Sequence, residues 1–461
     1  MNFVNREKEL LFLEDEYKSE RSSFVVIYGR RRVGKTALIS EFIKNKKALY
    51  FFANEEKEDV IKRLFKEKVA DFIGDENFKN LKTDDWEKIF KKLPLNTEEK
   101  FILIIDEFQN IGKSNSAFPS IFQGVWDMNF EKKNIMVILC GSIISMMESQ
   151  TLNYASPLYG RRTGQIKLKQ IGYTHYAKFF KNFKTNLNEF YAVTGGVPKY
   201  IELFVGEEDI YKAIEKNVLN KSKFLYDEPN FLLRQEVSEV GTYFSILRCI
   251  AMGNHKLGKI SSFLQVKEAN IKQYLKILTD LDVLERETPV TEDFPEKSKK
   301  CLYKISDNFL RFWFKFVFPN MDSLELGNTD LVMKKIRKNF VDKHVSYVYE
   351  DICRLKMWDI KDEHKFKFNK IGRWWDQNTE IDLIALDSDG EEIVFGECKY
   401  WKDKKLGSNV FTELKTKAKK VKWKNGMRKE RFVLFSKCGF TDEILDLAKK
   451  EKLTLIDNSY D

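Results

Sequence analysis

A chain of 461 residues, 43% hydrophobic and 33% charged, has a globular composition and a length that corresponds to about three domains of roughly 150 residues. Its net charge of +10, from 80 basic and 70 acidic residues, is compatible with a polyanionic partner without requiring one. Six scattered cysteines and four histidines that cluster with none of them argue against a disulfide scaffold and a zinc site, and for a reducing interior.

The chain opens on MNFVNREKEL, which is charged at once and unlike a signal peptide. FVVIYGRRRVGKTALISEFI follows: a β-branched apolar run, a glycine-punctuated loop, then helical periodicity. Gly29 to Thr36 matches G-x-x-x-x-G-K-[ST] between a strand and a helix, the context this motif requires. Gly29, Arg30, Arg31, Arg32, Val33, Gly34, Lys35, Thr36 and Ala37 are the expected phosphate-binding residues. The glycines let backbone N–H groups turn inward, and the helix N-terminus adds a favourable field. Lys35 is expected at the β- and γ-phosphates, and Thr36 at Mg²⁺.

FILIIDEF then reads as a buried strand ending in two acids. Asp106 is placed to hold Mg²⁺ through water, and Glu107 to orient or deprotonate the attacking water. A third strand, NIMVILCGS, ends in Ser142, which either senses the γ-phosphate or caps a helix. SPLYGRRTGQI places Arg161 and Arg162 in a loop, as an arginine finger in cis or from a neighbouring subunit, or as a solvated basic turn. TGGVPKYIE, Thr194 to Glu202, either presses backbone against the nucleotide or turns between helices.

FVNREKEL, GRRRVGKT, LIIDEF, LCGS, SPLYGRR and GGVPKY occur in the order seen in the archaeal-type ATPase family, close to AAA+ and STAND P-loop ATPases. The resemblance covers about half the chain. It implies ATP and Mg²⁺ as cofactors, a helical lid whose Pro198 contacts the nucleotide, and Asn5 and Arg6 as candidates for the adenine pocket. For Arg6 a helix-start position on the surface is the simpler alternative.

From Gly241 the pattern is three helices separated by turns, then VLERETPV and KKCLYKISD as a hairpin, which together predict a winged helix-turn-helix. Ile271, Leu275, Leu278 and Leu281 fall on the core face. Lys267, Asn270, Lys272, Gln273 and Lys276 fall on or near the other, facing DNA or simply solvent. NFLRFWFKFVF is aromatic, but Arg311 and Lys315 interrupt it, so no membrane-spanning run is expected. A cytoplasmic protein with no membrane partner is the resulting expectation. DNFLRFWFKFV and IGRWWDQNTEIDLIA resemble the marks of a C-terminal domain of long-unassigned function that often accompanies such ATPases.

The last segment reads as a helix carrying Glu350, three strands, a lysine-rich helix (Thr412 to Lys424), a strand, a helix and a last strand. Period-two alternation puts Glu397 and Lys399 on one face of their strand, beside Asp382 on its neighbour. Two carboxylates on adjacent strands can hold Mg²⁺, with Lys399 stabilising developing charge and Glu350 completing the site. The arrangement resembles the D…E-x-K pattern of PD-(D/E)XK nucleases; a surface hairpin with a charge pair is the alternative. Trp374 and Trp375 either plug the core or stack on a base.

The expected fold class is α/β: a P-loop NTPase parallel sheet (1–168) with a helical lid (169–232), a winged helix-turn-helix (233–308) and a restriction-endonuclease-like α/β domain (309–461). The expected function is ATP binding and hydrolysis controlling a Mg²⁺-dependent nuclease-like domain on DNA, with a homo-oligomer as a possible state. The alternative is a STAND-like nucleotide switch whose rear domains bind a protein partner and do not cut.

Overall fold

A computed structural model describes residues 3–79, 83, 85–95, 98–180 and 186–457. The chain forms two compact units. One comprises Met1–Ile171, Val197–Glu202 and Leu232–Ser238; the other comprises Gly172–Gly196, Leu203–Phe231 and Glu239–Asp461.

The first unit is built on β1 (Ser23–Tyr28), β2 (Ala48–Phe52), β3 (Phe101–Asp106), β4 (Ile135–Gly141) and β5 (Gly164–Lys167). All pairings are parallel, in the order β2-β3-β4-β1-β5. The sequences SFVVIY, FILIID and IMVILCG are buried along their whole length, as strands covered on both faces must be. β4 lies between β1 and β3. The carboxyl ends of three neighbouring strands therefore deliver the glycine loop, Ser142 and the acid pair to one edge, where ligands bind in open α/β sheets.

The second unit holds three helices, Val240–Ala251, Leu257–Leu264 and Glu268–Asp280, followed by the antiparallel hairpin of β6 (Leu284–Glu287) and β7 (Leu302–Ile305). Ile271, Leu275, Leu278 and Leu281 are buried. Lys267, Asn270, Lys272, Gln273 and Lys276 are exposed.

A second sheet follows, of β8 (Lys370–Asp376), β9 (Thr379–Leu386), β10 (Glu392–Lys399), β11 (Lys429–Ser436) and β12 (Leu453–Asp457). Its order is β12-β11-β10-β9-β8. β10 runs parallel to β11 and antiparallel to β9, so the sheet is mixed. The helix Ser346–Asp359 precedes it, and Ser408–Ala418 and Asp442–Lys450 cover it. Trp374 lies in its core, opposite Ile381 on the neighbouring strand.

Pro229 sits in the first turn of the helix Glu228–Glu236, where its missing N–H costs no intrahelical bond. One local expectation changes. The lysine-rich helix stops at Ala418 rather than Lys424. The Arg428 guanidinium donates to the carbonyls of Ala418 (3.0 Å), Val421 (2.5 Å) and Trp423 (3.2 Å), so these groups are satisfied without another helical turn. Among the described residues, no helix is long and apolar enough to cross a membrane.

Candidate functional site

At the carboxyl edge of the parallel sheet lies a cavity of about 630 Å³, lined by Arg31, Arg32, Gly34, Lys35, Thr36 and Ala37 of the loop, and by Glu107, Ser142 and Pro198. The loop needs left-handed backbone at Arg32 (φ 70°) and Gly34 (φ 98°). Lys35 Nζ donates to the carbonyls of Gly29 (2.8 Å) and Arg30 (3.0 Å). Burial pulls its pKa below the ordinary lysine value, against the opposing charges of Glu107 and Asp106. Thr36 Oγ1 lies 3.4 Å from Asp106 Oδ2, and the Tyr50 hydroxyl donates to the same carboxylate oxygen.

Glu107 has left-handed backbone (φ 53°), an uncommon conformation for a residue with a side chain. Its Oε2 accepts from Ser142 Oγ (2.8 Å), from the Ser142 N–H (3.3 Å) and from the Gln109 side-chain amide. Arg31 Nε reaches Ser142 Oγ at 3.4 Å, so a polar chain runs from the loop to the acid. The helix beginning at Ile144, just after Ser142, receives the Glu236 carboxylate on its first N–H groups, at 3.1 Å from Ile144 N and 3.4 Å from Ser145 N.

Gly29, Arg30 and Val33 of the loop do not line the cavity. Val33 is buried, and its carbonyl accepts from the Arg6 guanidinium (3.1 Å), which also binds the Lys169 carbonyl (2.5 Å). Arg6 is thus neither a surface residue nor part of the cavity lining; it anchors the loop from beneath, with its pKa lowered by burial. Arg30 is buried as well. Arg161 forks onto Asp127 at 3.2 and 3.0 Å, while Arg162 donates to the carbonyls of Thr151 and Leu152 and lies over the Tyr159 ring. Neither arginine lines the cavity.

Gly29 sits so close to β5's exit that an added Cβ would fall 2.4 Å from the Leu168 carbonyl oxygen. Gly29→Ala should therefore cost about 1–3 kcal/mol through overpacking. It should also weaken nucleotide binding, because the clash is relieved by moving the loop. Urea unfolding and a nucleotide titration check this, and a parental value in both would refute the steric account.

In the second unit, Asp382 on β9 and Glu397 on β10 stand on adjacent antiparallel strands, one step beyond the Leu383–Gly396 pair. Asp382 Oδ2 accepts from the Cys398 N–H (3.0 Å) and faces Lys399 Nζ at 3.4 Å. Glu397, only 1% exposed, binds Lys399 Nζ (2.5 Å) through one oxygen and Lys417 Nζ (2.7 Å) through the other. Lys417 escaped the sequence reading because it lies in a lysine run. Its spacing of three from the buried Leu414 is the signal that sets it apart.

Glu350, from the Ser346–Asp359 helix, joins Asp382, but the third carboxylate of that cluster is Glu380, not Glu397. Oxygens of Glu350, Glu380 and Asp382 lie within 4.8 Å of one another. Such an all-oxygen set suits a hard divalent cation such as Mg²⁺ or Mn²⁺. Burial, and then the Asp382 charge, push Glu350 up to about 8. Burial also pushes Asp382 upward, but Lys399 and the Cys398 amide outweigh it and hold the group low. Burial and Asp382 raise Glu397. Neighbouring carboxylates with pKa values driven apart are a common property of functional sites.

Residues 3–204 match the family described as an ATPase domain predominantly from Archaea, and residues 313–430 match a family of archaeal and bacterial proteins of unknown function. An uncharacterised protein of Methanocaldococcus jannaschii is 37% identical over 424 residues, which is 91% of this chain and 92% of that protein. An uncharacterised ATP-binding protein of the same organism is 53% identical over 45 residues, 10% of this chain and 76% of that protein. The structure of a Walker-type ATPase of Pyrococcus abyssi, at 20% identity, has a TM-score of 0.52 and covers 68% of this chain and 96% of that one, a likeness of fold. With the phosphate-loop geometry at the sheet edge and a relative matched over nearly its whole length, the chain belongs to the archaeal P-loop ATPase family that carries this additional C-terminal domain.

Proposed function

We propose that the chain binds and hydrolyses ATP in the first unit, and that its second unit binds DNA and carries a Mg²⁺-dependent nuclease-like site under nucleotide control. In the first unit, Lys35 exchanges the Gly29 and Arg30 carbonyls for the β- and γ-phosphates, while the loop amides around Gly34 hold the phosphate oxygens. Thr36 and Asp106 are the residues that would hold Mg²⁺, with Tyr50 fixing the Asp106 carboxylate. Glu107 takes the proton of the attacking water at Oε2, and Ser142, bound to that oxygen, links it to the γ-phosphate end of the cavity. Pro198 borders the nucleotide. Arg161 or Arg162 would act only from a neighbouring copy in a homo-oligomer.

In the second unit, Glu350 and Asp382, with Glu380, would hold the cation, and Glu397 would join them once released by a lysine. When bound, Mg²⁺ supplies Lewis acidity to phosphoryl oxygens. Lys399 and Lys417 place two ammonium groups at the buried carboxylate, where charge develops on a phosphodiester. That convergence of two acids and two lysines at the edge of adjacent strands is the observation that carries the nuclease proposal. The test is a panel of DNA structures incubated with Mg²⁺ or Mn²⁺, with and without ATP. Cutting that ATP modulates supports it, whereas no cutting under any condition favours a nucleotide switch acting on a protein partner.

The DNA arm rests on the three helices and hairpin, taken as a winged helix with Glu268–Asp280 as its recognition helix. Lys272 and Lys276 are exposed on it. Replacing both with Ala should lower DNA affinity and reduce the slope of log K against log salt by about 1–2, since each lost phosphate contact removes about 0.9. An unchanged slope in a fluorescence-anisotropy titration would assign this face to protein contact or solvent.

A further inference from the structure

The IGRWWD segment brings one side chain to the carboxylate cluster that the function above does not use. Arg373, on β8, is 14% exposed in its side chain and is shared by three acids. NH1 lies 3.0 Å from Glu287 Oε2, Nε lies 3.8 Å from Glu350 Oε2, and NH2 contacts Glu380. Two of these acids belong to the cluster with Asp382; the third, Glu287, belongs to the β6–β7 hairpin. Arg373 Nε is buried without a hydrogen-bond partner among the described residues, so the guanidinium faces Glu350 without being locked to it. The backbone joins the same two parts: Val290, just past β6, donates its N–H to the Arg373 carbonyl at 2.9 Å.

A second route runs in parallel. Lys304, on β7, lies 3.6 Å from Glu287 and 3.2 Å from Asp351, and Asp351 holds Arg354. Arg354 in turn donates to the Asp382 carbonyl at 2.7 Å and stands 3.9 Å from Glu350. The hairpin's charges are therefore continuous with those of the cluster.

We propose that Arg373 is a resident counter-cation of the Glu350–Glu380–Asp382 cluster, and that Glu287 sets how much of its charge the cluster receives, so that the hairpin governs the cluster's affinity for a divalent cation. The inference rests on the cluster being a cation site. A guanidinium beside two of the three carboxylates competes with an incoming ion, and a carboxylate on its far side draws it away. The two effects have opposite signs.

The test is Mn²⁺ binding by calorimetry on the full chain without nucleotide, with Asp382→Asn defining the signal from this site. Arg373→Gln should tighten Mn²⁺ about tenfold or more, and Glu287→Gln should weaken it severalfold. Arg373→Gln should also melt lower than the parent without metal, because it strands the half-buried Glu287 and Glu350 carboxylates, and should gain more in melting temperature from Mn²⁺. Glu287→Gln leaves the guanidinium in place and carries the test should Arg373→Gln fail to fold. A merely structural role makes both variants bind no better than the parent, or both worse. Asp382-dependent binding with either of those patterns overturns the proposal alone. Absence of Asp382-dependent binding in the parent and in both variants overturns it together with the cation site.

Discussion

Glu107→Gln should bind ATP within about threefold of the parent and hydrolyse it about 10²–10⁴-fold more slowly, the range expected when a general base is removed. The amide matches the carboxylate in shape, and its oxygen can still accept from Ser142, whose hydroxyl and N–H both reach Glu107 Oε2. It cannot take up a proton. In the proposed site, ground-state contacts with the phosphates would come from Lys35 and the loop amides of the same cavity, so affinity would be carried by other groups. Nucleotide titration against phosphate release separates the two quantities. Parental turnover in Glu107→Gln would remove Glu107 as the base; a large loss of affinity instead would mean that the Glu107–Ser142–Arg31 chain shapes the loop before nucleotide arrives.

What was legible in the sequence was local. The glycine spacing from Gly29 to Thr36 and the unbroken apolar runs before Gly29, Glu107 and Ser142 each encode a loop or a doubly covered strand within a few residues. Alternation along VFGECKYW placed Glu397 and Lys399 on one face, and both meet Asp382 through the β9–β10 register. The residues that escaped act across long stretches of chain. Arg6 holds the carbonyl of Val33 and Tyr50 holds Asp106, while Arg373 answers to Glu287. Nothing within a window of ten residues marks a buried arginine or tyrosine as a clasp rather than a surface or core group. Lys417 is the intermediate case: its helical spacing is local, but its partner Glu397 is not. The end of its helix is non-local for the same reason, because the stop comes from Arg428, ten residues on, rather than from any glycine or proline.

Asp382→Asn should lower metal-dependent DNA cleavage at least about 10²-fold, because several kcal/mol of transition-state stabilisation would rest on the ion it is proposed to hold. ATP hydrolysis should stay at the parental rate, since the residues proposed for it belong to the other unit. The fold should tolerate the change. Asn still offers an oxygen to the Cys398 N–H, and Lys399 keeps its ion pair with Glu397. Lys399→Ala is the informative companion. It removes one of two ammonium groups at Glu397 and leaves Lys417 in place, so Asp382-dependent Mn²⁺ binding should persist while the rate falls. A surface hairpin with an ordinary charge pair gives a different pattern: both variants lose a little stability, and neither separates DNA chemistry from ATP turnover. If the parent cuts no nucleic acid with Mg²⁺ or Mn²⁺, with or without ATP, the buried acids and lysines serve the fold, and the exposed Lys272–Lys276 face and its hairpin are left to recognise a protein partner. Cleavage by the parent that survives Asp382→Asn would instead place the cutting groups elsewhere on the chain.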